Sequence, residues 1–245
     1  MRHLLILNPN TDPTLTQTLL TRARALLPAN IVVSGTTAPF GARYIACRAS
    51  LTIAAHASLD AFAQARNLIA PDTTVLIACF GDPGLAALQE IADCPVTGMA
   101  RASLEACRAK GGRTGILTGG DAWKPMIEEL VVTEGFSASV AGVSTIPVSG
   151  EHAGQQRAAT LQALTHAARH LIEHTHADRI LIAGAGLAGL SSELARHLPV
   201  PVHCSLEESL LHIARIPLQT TKTSEQPLIT TGLSAALANL LRHPT

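Results

Sequence analysis

Cys79 is the residue of this sequence best placed to do chemistry. It follows the apolar run Val75–Ala78 and precedes a glycine-rich turn that contains Gly81 and Gly84. A thiol at the carboxyl end of a buried strand lies where open α/β sheets bind ligands. Turn amides and a helix N-terminus there favour an anion and lower the pKa of a thiol. The alternative interpretation is a small buried hydrophobe, and position alone leaves both open.

The stretch around Cys79 is repeated later in the chain. Residues 180–190 match residues 75–85 position by position without a gap, and the position equivalent to Cys79 is Gly184. Further matches lie at a similar spacing, since Ile6-Leu7 corresponds to Ile116-Leu117. Such a long period indicates two similar α/β halves and not a solenoid.

Small polar side chains end the equivalent first strands of the two halves. Asn8-Pro9-Asn10-Thr11 follows the first strand, and Thr118-Gly119-Gly120 follows its counterpart. These hydroxyl and amide groups suit a substrate carboxylate or imide without a metal. Ordinary turn formation and helix capping explain them equally well.

The elements that must position these residues alternate between strand and helix. Strands are predicted at His3–Leu7, Ile31–Val33, Val75–Ala78, Pro95–Gly98, Thr114–Leu117, Val143–Val148, Ile180–Ala183 and Pro201–Cys204. Helices are predicted at 14–27, 48–69 (one or two), 83–91, 101–109, 122–133, 153–174, 190–197, 205–215 and 232–242. This alternation implies mostly parallel sheets. Two such halves can bring Cys79 and Gly184 to opposite walls of one cleft, which is our hypothesis for the active site.

Composition excludes several classes of function. Positive and negative residues balance at 18 each and aromatics make up 2%, so we expect no nucleic-acid partner. No apolar run is long enough for a membrane span, and the first run is too short for a signal peptide. The five cysteines are scattered without a CxxC pair, which favours reduced thiols and a cytoplasmic location. Cys47, Cys94 and Cys107 are interpreted as packing residues.

Two further patterns are interpreted as non-functional. His166, His170 and His174 repeat every four residues, but Leu164, Ala168 and Leu171 occupy the opposite side of the helix. The histidines should therefore face solvent, and we predict no metal. The run 184–189 spells GxGxxG, but its counterpart lacks the first glycine and no acidic residue follows at a strand end, so we predict no cofactor.

The motifs together resemble the Asp/Glu/hydantoin racemase superfamily, closest to its hydantoin and allantoin racemase branch. They are Asn8-Pro9-Asn10-Thr11, Cys79-Phe80-Gly81-Asp82-Pro83-Gly84, Pro95-Val96-Thr97-Gly98 and Ala185-Gly186-Leu187-Ala188-Gly189. The resemblance implies two pseudo-symmetric Rossmann-like domains, residues 1–98 with 206–245 and residues 99–205. It also implies a cofactor-free site in the cleft between them, a small-molecule substrate and a homo-oligomer. The predicted substrate-binding residues are Asn8, Asn10, Phe40, Phe80, Gly81, Thr118, Gly119, Ala185 and Gly186, with Tyr44 and Trp123 as further candidates for the pocket wall.

The resemblance also implies a role for Cys79 and identifies a missing partner. In that family one thiolate removes the proton from an acidic carbon and a second thiol returns a proton to the opposite face. Cys79 matches the first cysteine, whereas Gly184 stands where the second is expected. The leading prediction is a cofactor-independent racemase or isomerase of a hydantoin-, allantoin- or amino-acid-like carbon acid.

Other interpretations stay open because of Gly184. His203, Cys204 or a water is a candidate for serving the second face. Alternatively, the chain is a one-cysteine lyase similar to arylmalonate decarboxylases, or a cis–trans isomerase that uses a nucleophilic cysteine. A third possibility is a non-catalytic protein that binds small carboxylates or ureides.

Overall fold

The chain forms two compact α/β units in a computed structural model, which describes residues 2–147, 157–215, 219–220 and 226–243. Unit 1 contains the described residues within Met1–Ile45, Ala49–Gly98 and Ile213–Thr245. Unit 2 contains those within Ala46–Arg48 and Met99–His212.

Strands and helices alternate along almost the whole described chain. The strands are β1 Arg2–Asn8, β2 Ile31–Thr37, β3 Thr73–Ile77, β4 Val96–Gly98, β5 Thr114–Gly119, β6 Val140–Ile146, β7 Arg179–Ile182 and β8 Val202–Cys204. The helices are α1 Pro13–Leu26, α2 Arg48–Gln64, α3 Leu85–Ile91, α4 Met99–Ala109, α5 Trp123–Thr133, α6 Arg157–Thr175, α7 Ser191–Ala195, α8 Ser205–Arg215 and α9 Ala235–Arg242. Short 3₁₀ turns occur at Arg66–Leu68 and Ala185–Leu187.

Unit 1 is built on a parallel sheet in the order β2-β1-β3-β4. Leu5 and Leu7 of β1 point to one face, where a core cluster also contains Leu237 and Leu240 of α9. On the other side α1 packs against β2, where Leu20 lies so close to Gly35 that a Cβ there would be 3.0 Å from its Cδ2. Burial on both faces explains the continuous apolar runs of β1 and β3.

Unit 2 repeats this architecture in the order β6-β5-β7-β8, again with parallel strands. Leu117, Ile180 and Ile182 form a core with α6 and α7 on one face. The equivalence of the halves extends to single hydrogen bonds. Ala78 N donates to Leu7 O at 2.8 Å, and its counterpart Ala183 N donates to Leu117 O at 2.8 Å. The predicted fold class, two similar parallel α/β units, is confirmed.

Element boundaries differ from the sequence prediction where turn geometry decides them. Helix α3 begins at Leu85 and not at Pro83, because Asp82 and Gly84 adopt positive φ angles of 44° and 82° in the preceding turn. Helix α9 begins at Ala235, where Ser234 accepts a hydrogen bond from Leu237 N at 3.2 Å. Strand β6 begins at Val140, earlier than predicted. Residue 148 of the predicted strand and residues 153–156 of the predicted helix lie outside the described residues.

Candidate active site

Cys79 lies two residues beyond the end of β3, at the carboxyl edge of the sheet in unit 1. Its side chain is half-buried, unlike the fully buried Cys94 of the same unit. The carbonyl of Cys79 accepts a hydrogen bond from Asp82 N at 3.1 Å, which closes the turn toward α3. The thiol is therefore held at a strand end in a tight turn, where parallel sheets present their ligand-binding groups.

Burial dominates the electrostatics of the Cys79 thiol. Loss of solvent raises the pKa of Cys79 to about 12, the Gly81 N–H acts against this increase, and the Asp82 carboxylate adds to it. The expectation that turn amides lower the pKa of this thiol is therefore wrong in net direction, because the single amide does not compensate for desolvation. Cys79 is a neutral thiol in the resting protein, which suits it to donate a proton.

Asn8 and Asn10 lie in the turn after β1, in the same unit, and they differ in their hydrogen bonding. The Asn8 Nδ2 donates to Asn10 Oδ1 at 2.8 Å, to Asp12 O at 3.0 Å and to Thr16 Oγ1 at 3.0 Å. Its Oδ1 accepts from Asn10 N at 3.2 Å, and the residue is completely buried. Asn8 therefore uses its side chain to build the turn.

Asn10 is held by the turn but keeps a donor available. Its Oδ1 accepts from Asn8 Nδ2 and from Asp12 N at 3.0 Å. Within the described part of the chain, no group accepts a hydrogen bond from Asn10 Nδ2. The hydrogen bonds to Oδ1 fix the plane of the Asn10 amide, and its Nδ2 hydrogens are available to donate to a ligand.

The aromatic residues predicted near Cys79 separate by burial. Phe80 is buried with 3% exposure, so its ring belongs to the core and only its backbone is available at the turn. Phe40 is 37% exposed, and its ring packs edge-on against His56 with centroids 4.9 Å apart. Tyr44 is half-buried on the loop that follows β2. Phe40 and Tyr44 thus remain candidates for a ligand contact, and Trp123 in unit 2 is buried.

Gly184 occupies the equivalent strand end in unit 2, two residues beyond β7. Its φ of 110° and ψ of 137° lie in a region that residues other than glycine rarely adopt. Cys79 does not share this positive φ. A Cβ on Gly184 would meet only Thr118 Oγ1, at 3.7 Å, so there is room for a side chain but the backbone resists one.

The remaining predicted residues of unit 2 surround Gly184. Thr118 Oγ1 donates to Ala183 O at 2.9 Å, which leaves its lone pairs as acceptors. Gly119 is buried at the end of β5, and Ala185 and Gly186 form the 3₁₀ turn that follows Gly184. Ser205, which the sequence did not single out, accepts from Gly184 N at 3.2 Å.

His203 and Cys204, the candidates for a second proton donor, are engaged in structural contacts. His203 Nδ1 lies 2.6 Å from Glu208 Oε1, and Lys110 Nζ lies 2.6 Å from Glu208 Oε2. Burial opposes ionisation of Glu208, but these two hydrogen bonds outweigh it and lower its pKa to about 2. Cys204 is 1% exposed, and burial raises the pKa of its thiol.

The other cysteines and histidines have the following positions. Cys94 and Cys107 are buried, as packing residues should be, whereas Cys47 is exposed and that interpretation is wrong for it.

His166, His170 and His174 are exposed on α6, as predicted, while Leu164 and Leu171 are buried. Among the described residues, no group of three or more His, Cys, Asp or Glu side chains could hold a metal ion. No helix in the same part of the chain is long and apolar enough to cross a membrane.

Asp82 is the site residue that the sequence reasoning missed. Its side chain is 9% exposed, and it lies against Gly98, where a Cβ would be 2.0 Å from the Asp82 Cγ. The signal was an acidic residue between two glycines directly after the candidate thiol. It was interpreted only as part of a turn.

The fold and the site define a two-unit parallel α/β protein, with a half-buried thiol at a strand end of one unit and a glycine at the equivalent strand end of the other. Residues 4–236 match the Asp/Glu/hydantoin racemase family. The chain therefore belongs to the Asp/Glu/hydantoin racemase family.

Individual relatives agree with this assignment. The chain is 28% identical over 228 residues to a hydantoin racemase of Paenarthrobacter aurescens, covering 90% of this chain and 94% of that protein. The structure is similar to that of an allantoin racemase from Pseudomonas fluorescens, with a TM-score of 0.85 and 24% identity over 93% of this chain and 100% of the other. An allantoin racemase from Klebsiella pneumoniae gives a TM-score of 0.83 at 22% identity over 98% and 99%.

A weaker likeness links the chain to a different enzyme class. Arylmalonate decarboxylase has a TM-score of 0.61 and 18% identity, over 87% of this chain and 92% of the other. At such identities the structural comparisons show the fold alone.

Proposed function

We propose that this protein is a cofactor-independent racemase or isomerase of a small carbon acid, with Cys79 as its acid–base group. The observation that carries the proposal is the place of Cys79, a half-buried thiol at the carboxyl end of β3 with the Gly81 N–H beside it. Family membership and the similarity to a hydantoin racemase along most of the chain support a hydantoin- or allantoin-like substrate.

The proposed reaction begins with proton removal from the carbon next to a carbonyl group. The minor thiolate form of Cys79 accepts the proton, and the electron pair moves into the carbonyl to give an enolate-like anion. The free N–H groups of Asn10 are the proposed donors to that anion, because the turn already fixes their orientation. Since His203 is bound to Glu208 and Cys204 is buried, we propose that solvent supplies the proton that inverts the centre.

The experiment follows one enantiomer of a 5-substituted hydantoin in D₂O by chiral chromatography and mass spectrometry. We expect racemisation with uptake of one deuterium at the acidic carbon. Cys79→Ser should lower this rate by about 100-fold or more, because a hydroxyl is a far weaker acid than a thiol. Cys94→Ser is the matched control, since Cys94 is a buried thiol of the same unit outside the turn. A Cys79→Ser variant with an unchanged rate would contradict the proposal.

The pH dependence tests which form of Cys79 reacts first. With a pKa of about 12, the thiolate fraction rises tenfold for each pH unit below that value. If the thiolate removes the proton, the logarithm of kcat/KM for deuterium exchange should rise with a slope of about one between roughly pH 7 and 10. A flat profile over this range would indicate that the neutral thiol starts the reaction as an acid.

The raised pKa of Cys79 also favours a second candidate, a one-cysteine lyase of the arylmalonate decarboxylase type. In such a reaction loss of CO₂ generates the carbanion, and the neutral thiol protonates it on one face. The test is CO₂ release from a disubstituted malonate, with analysis of the product for a single enantiomer. Decarboxylation without exchange of a hydantoin proton would replace the racemase proposal with this one.

A further inference from the structure

The acidic residue beside Cys79 is held in an arrangement that is unfavourable in three separate ways. Asp82 adopts a positive φ of 44°, one of only two such non-glycine residues in the described chain. A left-handed conformation is unfavourable for an L-residue, although less so for Asp and Asn. Its carboxyl group is 9% exposed, although burial destabilises a charge.

The third unfavourable feature is that the Asp82 carboxyl group lies where a side chain at Gly98, the last residue of β4, would be. A Cβ on Gly98 would lie 2.0 Å from Asp82 Cγ and 2.2 and 2.3 Å from its carboxyl oxygens. The carboxyl group therefore occupies the place of a side chain at position 98. Glycine weakens a strand, and here its missing side chain leaves the space that the Asp82 carboxyl group fills.

This arrangement brings the carboxylate close to the thiol. Gly98 pairs with Ile77, the last residue of β3 and two residues before Cys79. Neighbouring strands lie about 4.8 Å apart, so a carboxylate above Gly98 lies about one strand spacing from the end of β3. The two residues also share one turn, because Asp82 N donates to Cys79 O at 3.1 Å.

We propose that Asp82 is a positioning residue whose buried charge adds to the effect of burial and further suppresses ionisation of the Cys79 thiol. A negative charge in the same turn opposes formation of a thiolate, in agreement with the raised pKa of Cys79, to which burial contributes most and Asp82 adds a smaller part. The inference rests on the proposed function in that it makes Cys79 the reacting group. Its consequence is that the thiol resists alkylation and oxidation while the site is empty.

The test measures alkylation of Cys79 by iodoacetamide at pH 8, followed by peptide mass spectrometry. Asp82→Asn keeps the shape of the side chain, tolerates the positive φ and removes the charge. We expect Cys79 to react roughly threefold to tenfold faster in this variant. The exposed Cys47 should react at an unchanged rate and serves as an internal reference, and Glu90→Gln controls for the loss of a surface charge on α3.

A second variant and a second measurement keep the proposal testable if Asp82→Asn disturbs the fold. Asp82→Gly also tolerates the turn geometry, and alkylation of the buried Cys94 reports any loss of structure. Cys79 reactivity within twofold of the wild type in both variants would overturn the proposal and leave Asp82 as a turn residue. Alkylation requires no substrate, so absence of racemase activity in the wild type would refute the proposed function without affecting this result.

Discussion

Substitution of Gly184 tests whether the backbone at the strand end of the second unit can carry a side chain. The only atom near a Cβ at this position is Thr118 Oγ1, at the ordinary contact distance of 3.7 Å, so steric overlap contributes little. The φ of 110° contributes strain, which for such conformations is about 1–3 kcal/mol. The lower entropy of the unfolded chain returns about 0.4–1 kcal/mol of this. We therefore expect Gly184→Ala to lower the free energy of unfolding by about 1–2 kcal/mol.

The assay is urea unfolding of three variants alongside the wild type. Gly184→Cys should lose as much stability as Gly184→Ala, because both bear the same backbone strain. Gly135→Ala is the matched control, since Gly135 has a φ of 73° and open space around it, and its loss should be smaller. A Gly184→Ala variant as stable as the wild type would refute the argument that this backbone requires glycine.

The same pair of variants separates the thiol from the strain in catalysis. If the two strand ends serve one substrate, Gly184→Cys should racemise a hydantoin faster than Gly184→Ala does. Equal rates in two folded variants would count against a two-sided site. Comparison with Gly184→Ala matters because the strain alone can alter the turn Ala185–Leu187.

Three further substitutions test the surroundings of the two sites. Glu208→Gln should destabilise the protein by about 1–3 kcal/mol at pH 7. Because the folded pKa of Glu208 is lowered to about 2, this stabilisation is present above about pH 4.3 and is lost as the pH falls toward 2. An equal loss of stability in urea unfolding at pH 7 and pH 3 would contradict this prediction. Asn8→Asp removes the donor of three hydrogen bonds, two of them buried, and should lower the free energy of unfolding by about 2–4 kcal/mol, whereas an unchanged thermal midpoint would show that the turn does not need them. Gly98→Ala forces the Asp82 carboxyl group to move and should lower the free energy of unfolding in urea by about 1–3 kcal/mol. Adding Asp82→Gly to this variant should recover most of that loss. Additive effects of the two substitutions would mean that the two residues do not interact.

The periodicity of the sequence was sufficient to predict the fold. Apolar runs such as Val75–Ala78 are short and bounded by turn residues, so strand and helix can be told apart locally. The repeat at Gly184 then predicted two units of the same topology, which the strand orders confirm. What local patterns did not predict was the start of α3, because Asp82 in the preceding turn adopts a positive φ that residues other than glycine rarely take.

The sequence located the candidate site but did not distinguish the roles of its members. Asn8 and Asn10 have the same side chain two positions apart, and both were predicted to bind substrate. The structure shows that the buried Asn8 uses its amide within the turn, while Asn10 retains free N–H groups. That difference depends on Asp12 and Thr16, at the start of α1, whose oxygens accept hydrogen bonds from Asn8 alone. No pattern of residue types indicates which of the two amides the helix will contact.

Gly184 shows most clearly why a substitution cannot be interpreted from residue identity alone. Judged by residue type alone, Gly184 stands at the position equivalent to Cys79, and a single substitution to cysteine should supply a thiol there. Its φ of 110° and the absence of a positive φ at Cys79 mean that the two equivalent strand ends now differ in backbone as well as in side chain. A backbone of this kind admits no residue other than glycine without strain, so a cysteine at position 184 would have to bear that strain or move the turn. We therefore expect the chemistry of this protein to depend on the Cys79 thiol and on the groups that control its protonation, and not on a second thiol at position 184.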